Sequence, residues 1–212
     1  TVSALRYQDD EGPGVVRNDE HPYGLPDLPP KDAALVEGDT ILMFRFLSLM
    51  TLCEDVRPAD DEVPTAFLME QPEDPAKYRD EADVQQHRYF SMYRTQEWQD
   101  FQNRYGLSQF SFDQCRMGHL KRKPTTIATN LIELAQLDGL RGEPEGEAQA
   151  TEQFRALPME QRFKMTKSWA AWAPGLKAAI STGVNRYLGG AGRGLDSERH
   201  QAPSSTRVPE GD

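Results

Sequence analysis

Thr65–Pro75, TAFLMEQPEDP, is the stretch on which the reading of this chain turns. Its apolar run, Ala66-Phe67-Leu68-Met69, stops abruptly at Glu70-Gln71-Pro72 and passes into a small acidic turn. Ahead of it stands Ile41–Cys53, ILMFRFLSLMTLC, apolar on nearly every face and too long for a strand, which predicts a buried helix. The polar segment Glu54–Pro64 between them holds Pro58 and Pro64 and reads as a loop. Helix, loop and short buried strand in that order predict an α/β fold, with Glu70 at the C-terminal end of its strand. In open parallel sheets that end is where ligands bind. Glu70 is then either a solvated glutamate opening a turn or a carboxylate placed for chemistry.

Composition bounds the choice. The 212 residues suffice for one domain with a sizeable core, but only 37% are apolar, which leaves part of the chain unstructured. The net charge of −10 is unevenly spread. Glu54–Gln86 carries eleven acids and three bases, whereas Arg116–Lys123 carries four bases and no acid. An acidic chain does not coat nucleic acid indiscriminately, yet it has room for one basic site. Two cysteines, Cys53 and Cys115, make no disulfide framework and point to a reducing, intracellular setting, nuclear or cytoplasmic. No apolar stretch reaches the roughly 18 residues that span a bilayer, so no membrane partner is expected.

In chain order, residues 1–32 are rich in loop signals, with Tyr23-Gly24-Leu25-Pro26 and Leu28-Pro29-Pro30 as turns. A helix is predicted from about Ala33 through Cys53, N-capped by Asp32, with Gly38 a weak point costing about 1 kcal/mol relative to alanine. That glycine allows a kink or a close approach. Asp74–Gln86 reads as a polar surface helix or loop. Thr95 caps a helix with Trp98, Phe101 and Tyr105 on one face, and Gly106 ends it. The aromatic stripe reads as core rather than as a base-stacking platform. Leu107–Asp113 alternates like a half-buried strand, Gln114–Lys123 is a basic loop, and Pro124–Asn130 is a second strand rich in β-branched residues. Leu131–Leu140 has helical spacing. The segment 33–142 is thus an α/β core, 143–188 a helical extension broken at Pro158 and Pro174-Gly175, with Trp169, Trp172 and Leu176 on one face. The apolar-poor tail, 189–212, is expected to be disordered.

Three further motifs fail on chemistry. The glycines of Gly189–Gly194 follow a helix, whereas a phosphate loop needs a strand before it and a helix after it. Cys115 and His119 have no second ligand pair at the tight spacing that zinc requires, so no metal is expected. Arg116 and Lys121–Lys123 would favour a Cys115 thiolate, but an unpartnered cysteine at a strand end is more simply structural. The cations themselves, Arg116, Lys121, Arg122 and Lys123, are either a solvated loop or a contact for DNA phosphates and base edges.

The order of apolar helix, strand ending in glutamate, strand, glycine plus basic cluster and strand resembles the second half of the DNA cytosine-5 methyltransferase family. Leu42–Met50 resembles the helix before that family's glutamate motif, Phe67–Pro72 the glutamate motif, and Gly118–Asn130 the Gln-Arg-Arg motif. FDQCRMGHLKRKPTTIATN is closer still to methyltransferase-like segments of phages and of mobile-element polyproteins in unicellular algae. TVSALR, YGLPDLPPKD, LDGLRG and SWAAWAPGLKAAI resemble the same polyprotein group.

That resemblance implies a partial methyltransferase-like, Rossmann-type layered sheet with a helical C-terminal extension. It also implies a mechanism in which a cysteine thiolate adds to cytosine while a glutamate supports the ring and S-adenosylmethionine donates the methyl. Glu70 would be that glutamate, and Arg122 or Lys123 the cation near the base carbonyl. DNA would be a weak partner through the basic loop, alongside the remainder of a polyprotein. The departures matter: Gln71 replaces the usual asparagine, and Lys123 or Thr125 falls where arginine is expected. The Pro-Cys nucleophile motif and the glycine-rich cofactor motif do not occur in the chain, and the former would sit about two residues ahead of Thr1. The expectation is therefore no cofactor and no activity for this chain alone, with a non-catalytic nucleic-acid or protein interaction module as the rival reading.

Overall fold

In a computed structural model of the chain, residues 15–57, 65–77, 81–82, 90–143, 156–158, 160–161 and 171–189 are described. Their centre is a three-stranded sheet of β1 (Leu68–Pro72), β2 (Ser108–Asp113) and β3 (Pro124–Thr129), in the order β1-β3-β2. Both pairings are antiparallel, with Glu70 opposite Ile127 and Ile127 opposite Phe110. The protein is therefore mixed α/β, but the parallel-strand setting expected for Glu70 is corrected. Glu70 also lies in the middle of β1 rather than beyond its end. The apolar run suggested a strand ending at Met69. Pairing continues through Gln71 with Thr126 and Pro72 with Thr125, and an edge strand tolerates the missing amide of Pro72.

Each face of the sheet has its own core. Alternation along β3 sends Ala128 to one side and Ile127 to the other. On the first side, Met43 and Leu47 of α1 (Pro30–Asp55) and Trp98 and Phe101 of α2 (Gln96–Tyr105) pack with Phe67 and Met69. On the second, Phe110, Phe112 and Ile127 meet Leu131, Leu134 and Leu137 and Leu176 of α3 (Pro174–Leu188). Leu134 and Leu137 belong to a 3₁₀ turn, Ile132–Leu137, where a longer helix-like run was expected.

Local chemistry sets the helix ends. α1 starts three residues before the predicted Ala33, because Pro30 suits the first helical position and Asp32 then lies in the positive first turn. Thr95 accepts the Trp98 amide at 3.4 Å and Gly106 closes α2 at φ 60°, as the sequence predicts. Trp98 is wholly buried and its indole N–H donates to Gln102 at 3.1 Å. α3 begins at Pro174 rather than being broken there, so Trp172 precedes the helix while still packing on the second core. Trp169 and the tail after Gly189 lie outside the described residues, as does the segment 1–14. Buried apolar residues on α1 are only Val36, Met43 and Leu47, so the expectation of a helix buried all round is also corrected. A single small sheet covers one side of it.

The loop before α1 is pinned by one residue. Arg17 is buried, donates to the carbonyls of Val36 at 2.8 Å and Pro22 at 3.4 Å, and stands 5.5 Å over the Phe90 ring. Burial pulls its pKa down, with Asp39 opposing. Nearby, the Tyr23 hydroxyl donates to the Glu97 carboxylate. Desolvation first, and that bond second, push the phenol from 10.0 up to about 12. A group raised in the folded state contributes stability that is full below its unfolded value and is lost as pH rises through the folded one. Ultraviolet titration should therefore show the parent and Tyr23→Phe ionising the same number of phenols near pH 10, with the parent's additional phenol appearing only near pH 12. Identical alkaline titration curves, after subtraction of one ordinary tyrosine, would remove the Tyr23–Glu97 contact.

Candidate functional site

Glu70 shares a strand face with Leu68 and Pro72, because side chains alternate, and this face turns toward α3. It is half-buried. Its carboxylate accepts a long hydrogen bond, 3.4 Å, from the side-chain amide of Gln114. Gln114 opens the 3₁₀ turn Gln114–Met117 directly after β2 and is completely buried. The same amide nitrogen donates to Thr125 Oγ1 at 2.9 Å, and Gln114 Oε1 accepts the Ala173 amide at 2.9 Å. Its backbone N–H donates to the Lys123 carbonyl at 3.2 Å, and its own carbonyl accepts from His119 at 3.1 Å. One residue thus joins β1, β3 and the start of α3 through its side chain and the basic loop through its backbone.

The basic loop is held from several sides. Gly118 adopts φ 90°, a left-handed conformation that glycine takes without strain. The Lys121 amide donates to His119 Nδ1 at 3.0 Å. A Cβ on Gly175 would sit 2.9 Å from the Met117 carbonyl oxygen, so glycine there lets α3 close onto the turn. Lys123 folds inward and donates to the Ala171 carbonyl at 3.3 Å. Burial pulls its pKa below the usual lysine value, while the Glu70 charge pulls it back up. The same Glu70 charge adds to burial in raising Tyr93, whose hydroxyl donates to Thr126 and Met69 carbonyls at 3.1 and 3.2 Å.

Of the residues singled out from sequence, Glu70 and Lys123 lie on either side of Gln114, which bonds to both. Arg122 does not join them through its Nε, which is 3.2 Å from the buried Asp113 carboxylate. Arg116 is exposed and its stem lies against Gly142, where an added Cβ would come within 2.6 Å of Arg116 Cδ. Cys115 donates to the Gly142 carbonyl at 3.1 Å, in keeping with a structural role.

Four residues were missed. Arg141 clamps the fully buried Glu73 with two bonds, 2.5 and 2.6 Å, and lies 3.6 Å from Asp113. The Glu73 bond is the main reason its pKa rises above the ordinary arginine value. Glu73 had read as part of an acidic turn and Asp113 as the end of a strand; their partner is far away in sequence and carries no local signal. Gln114 likewise looked like an ordinary loop residue. A buried glutamine between an aspartate and a cysteine gives no spacing rule to search for.

Around this end of the sheet, Glu70, Glu73 and Asp113 face Arg122, Lys123 and Arg141, three carboxylates against three cations. Such balance suits a neutral polar ring better than a polyphosphate: the carboxylate accepts from an exocyclic amine or a protonated ring nitrogen and the ammonium donates to a carbonyl oxygen. Among the described residues no group of three His, Cys, Asp or Glu is arranged to hold a metal ion. The positive-φ glycines described, Gly24, Gly106, Gly118 and Gly139, sit in separate turns rather than in a strand-to-helix loop. They do not fit a cradle for S-adenosylmethionine, and Gly190–Gly194 lie outside the described residues. No helix of the described residues is long and apolar enough to cross a membrane. No protein-family model, curated protein or solved structure matches this chain.

Proposed function

We propose that this chain is the glutamate- and basic-motif region of a DNA cytosine-5 methyltransferase-like domain within a larger mobile-element polyprotein, acting inside the cell, in nucleus or cytoplasm. The observation that supports it most is that Glu70 and Lys123, distant in sequence, both bond to the buried Gln114, Glu70 through its carboxylate at 3.4 Å and Lys123 through its carbonyl at 3.2 Å. In this reading Glu70 supports a ring nitrogen of cytosine and Lys123 contacts its carbonyl oxygen, with Gln114 positioning both. The three-stranded sheet is then part of a Rossmann-type, methyltransferase-like sheet. Arg116 and Lys121 contribute phosphate contacts at the loop's outer side. S-adenosylmethionine and the nucleophile belong to the complete domain, not to the described residues.

A second reading, a non-catalytic interaction module, draws support from the Arg122–Asp113 pair, which neutralises part of the loop. DNA binding tests both. Replacing Lys121, Arg122 and Lys123 together by alanine should weaken binding and flatten its salt dependence, because about three phosphate or base contacts go at once. Glu70→Gln should leave non-specific binding equal or slightly higher while any preference for cytosine-containing strands falls. Equal binding by the triple variant and the parent at about 50 mM salt, where phosphate contacts are strongest, would leave only the protein-interaction reading.

A further inference from the structure

α1 is apolar on two sides, and the described residues cover one of them. At about 100° per residue, Met43 and Leu47 point into the sheet core and Val36 packs beside Gly24 and Leu28 of the preceding loop, and these three are its buried residues. On the opposite side Leu35, Ile41, Leu42, Leu49, Leu52 and the C-cap Val56 are 41–68% exposed. Single exposed leucines need no explanation, but a continuous row along one helix marks an interaction surface. Leu35, Leu42, Leu49 and Val56 recur every seven residues, the spacing of a seam between two helices.

Two other residues of this stripe specify what fits it. Gly38 lies in the helix interior, where glycine is less stable than alanine, yet a Cβ there would meet nothing within 4 Å. Its own fold does not require a glycine; a partner backbone approaching closely would. Arg45, exposed near the midpoint of the stripe, is its one charge between Leu35 and Val56. Covered by an apolar surface alone, that guanidinium would lose its water with nothing in return.

We infer that the outer face of α1 docks an amphipathic helix of a protein partner, one that presents leucine-type side chains at seven-residue spacing and a carboxylate opposite Arg45. This surface is independent of the Glu70 site. A second copy of the chain fits poorly, since full overlap of two such stripes, parallel or antiparallel, sets Arg45 against Arg45. An anionic bilayer fits poorly as well, given a net charge of −10.

The test uses the full chain and two fluorescent synthetic helical peptides. Both carry leucines at seven-residue spacing; one has a glutamate at the position facing Arg45, the other a lysine. The glutamate peptide should bind, and the lysine peptide should bind at least about tenfold more weakly, because like charges meet in a desolvated seam. Arg45→Glu should reverse that order. Leu42→Gln with Leu49→Gln should abolish binding of both peptides without lowering the melting temperature, since both leucines are exposed. Gly38→Ala should raise the melting temperature and weaken the glutamate peptide, a combination that a purely structural role would not produce. Equal binding of the two peptides, or binding of neither, overturns the inference. So does a dimer in sedimentation velocity that Leu42→Gln dissolves, for then the occupant is a second copy.

Discussion

Arg141→Ala should destabilise the protein by about 2–4 kcal/mol, read as a lower urea midpoint at an unchanged slope. The substitution removes both hydrogen-bond donors from Glu73, whose side chain is completely buried, and the nearest cation from Asp113 Oδ1. At 3.6 Å that second contact is a charge interaction rather than a hydrogen bond. Arginine 141 itself keeps a side-chain exposure of 38%, so water offsets part of the loss, and the estimate sits below the full range for a buried pair. Arg141→Lys should restore less than half, because a single ammonium cannot make the two-pronged contact. Replacing Glu73 by Gln together with Arg141→Met should be milder than Arg141→Ala alone, since position 73 then carries no buried charge without its partner. A loss under about 1 kcal/mol for Arg141→Ala, the worth of a surface pair, would show that Glu73 finds water instead.

Gln114→Leu should cost about 2–4 kcal/mol, because it strands buried polar partners at about 1–3 kcal/mol each. The Ala173 amide loses its acceptor, Thr125 Oγ1 loses a donor, and Glu70 loses its hydrogen bond within the sheet. Leucine nearly fills the volume, so the loss reports hydrogen bonding rather than a cavity. Hydrogen exchange distinguishes a local effect from a general one. The Ala173 amide and the first turn of α3 should lose protection well before β3 does, because Gln114 is the polar tie between the helix start and the sheet. Unchanged protection at Ala173 would sink the positioning role assigned to Gln114. The same variant should also separate Lys123 from Glu70, so a cytosine preference, where present in the parent, should fall with it.

Much of the local structure was legible from short stretches. Thr95 with Trp98 three residues on and Gly106 at the far end delimit α2, since a cap and a left-handed glycine act within one helical turn. The β-branched run in Pro124–Thr129 and the alternation in Ser108–Asp113 appear as strands at nearly the expected bounds. The neighbourhood of Glu70 and Lys123 was also expected, because it followed from strand order around one basic loop. The order itself was not. Antiparallel pairing with β3 in the centre depends on which apolar faces can be covered together, and residues far apart in sequence make that choice.

What the sequence by itself determined is the extent of α2 and, nearly, of β2 and β3, and that one acidic and one basic stretch lie beside the same strands. Those features rest on hydrogen bonds and torsional preferences spanning a few residues. The tertiary structure alone decided which side of β1 Glu70 faces, that Gln114 is buried at the junction, and that Arg141 serves Glu73 and Asp113. It likewise decided which flank of α1 stays exposed. A buried polar group must find a partner wherever the packed chain supplies one, and the partner's place in sequence is set by the packing of both sheet faces.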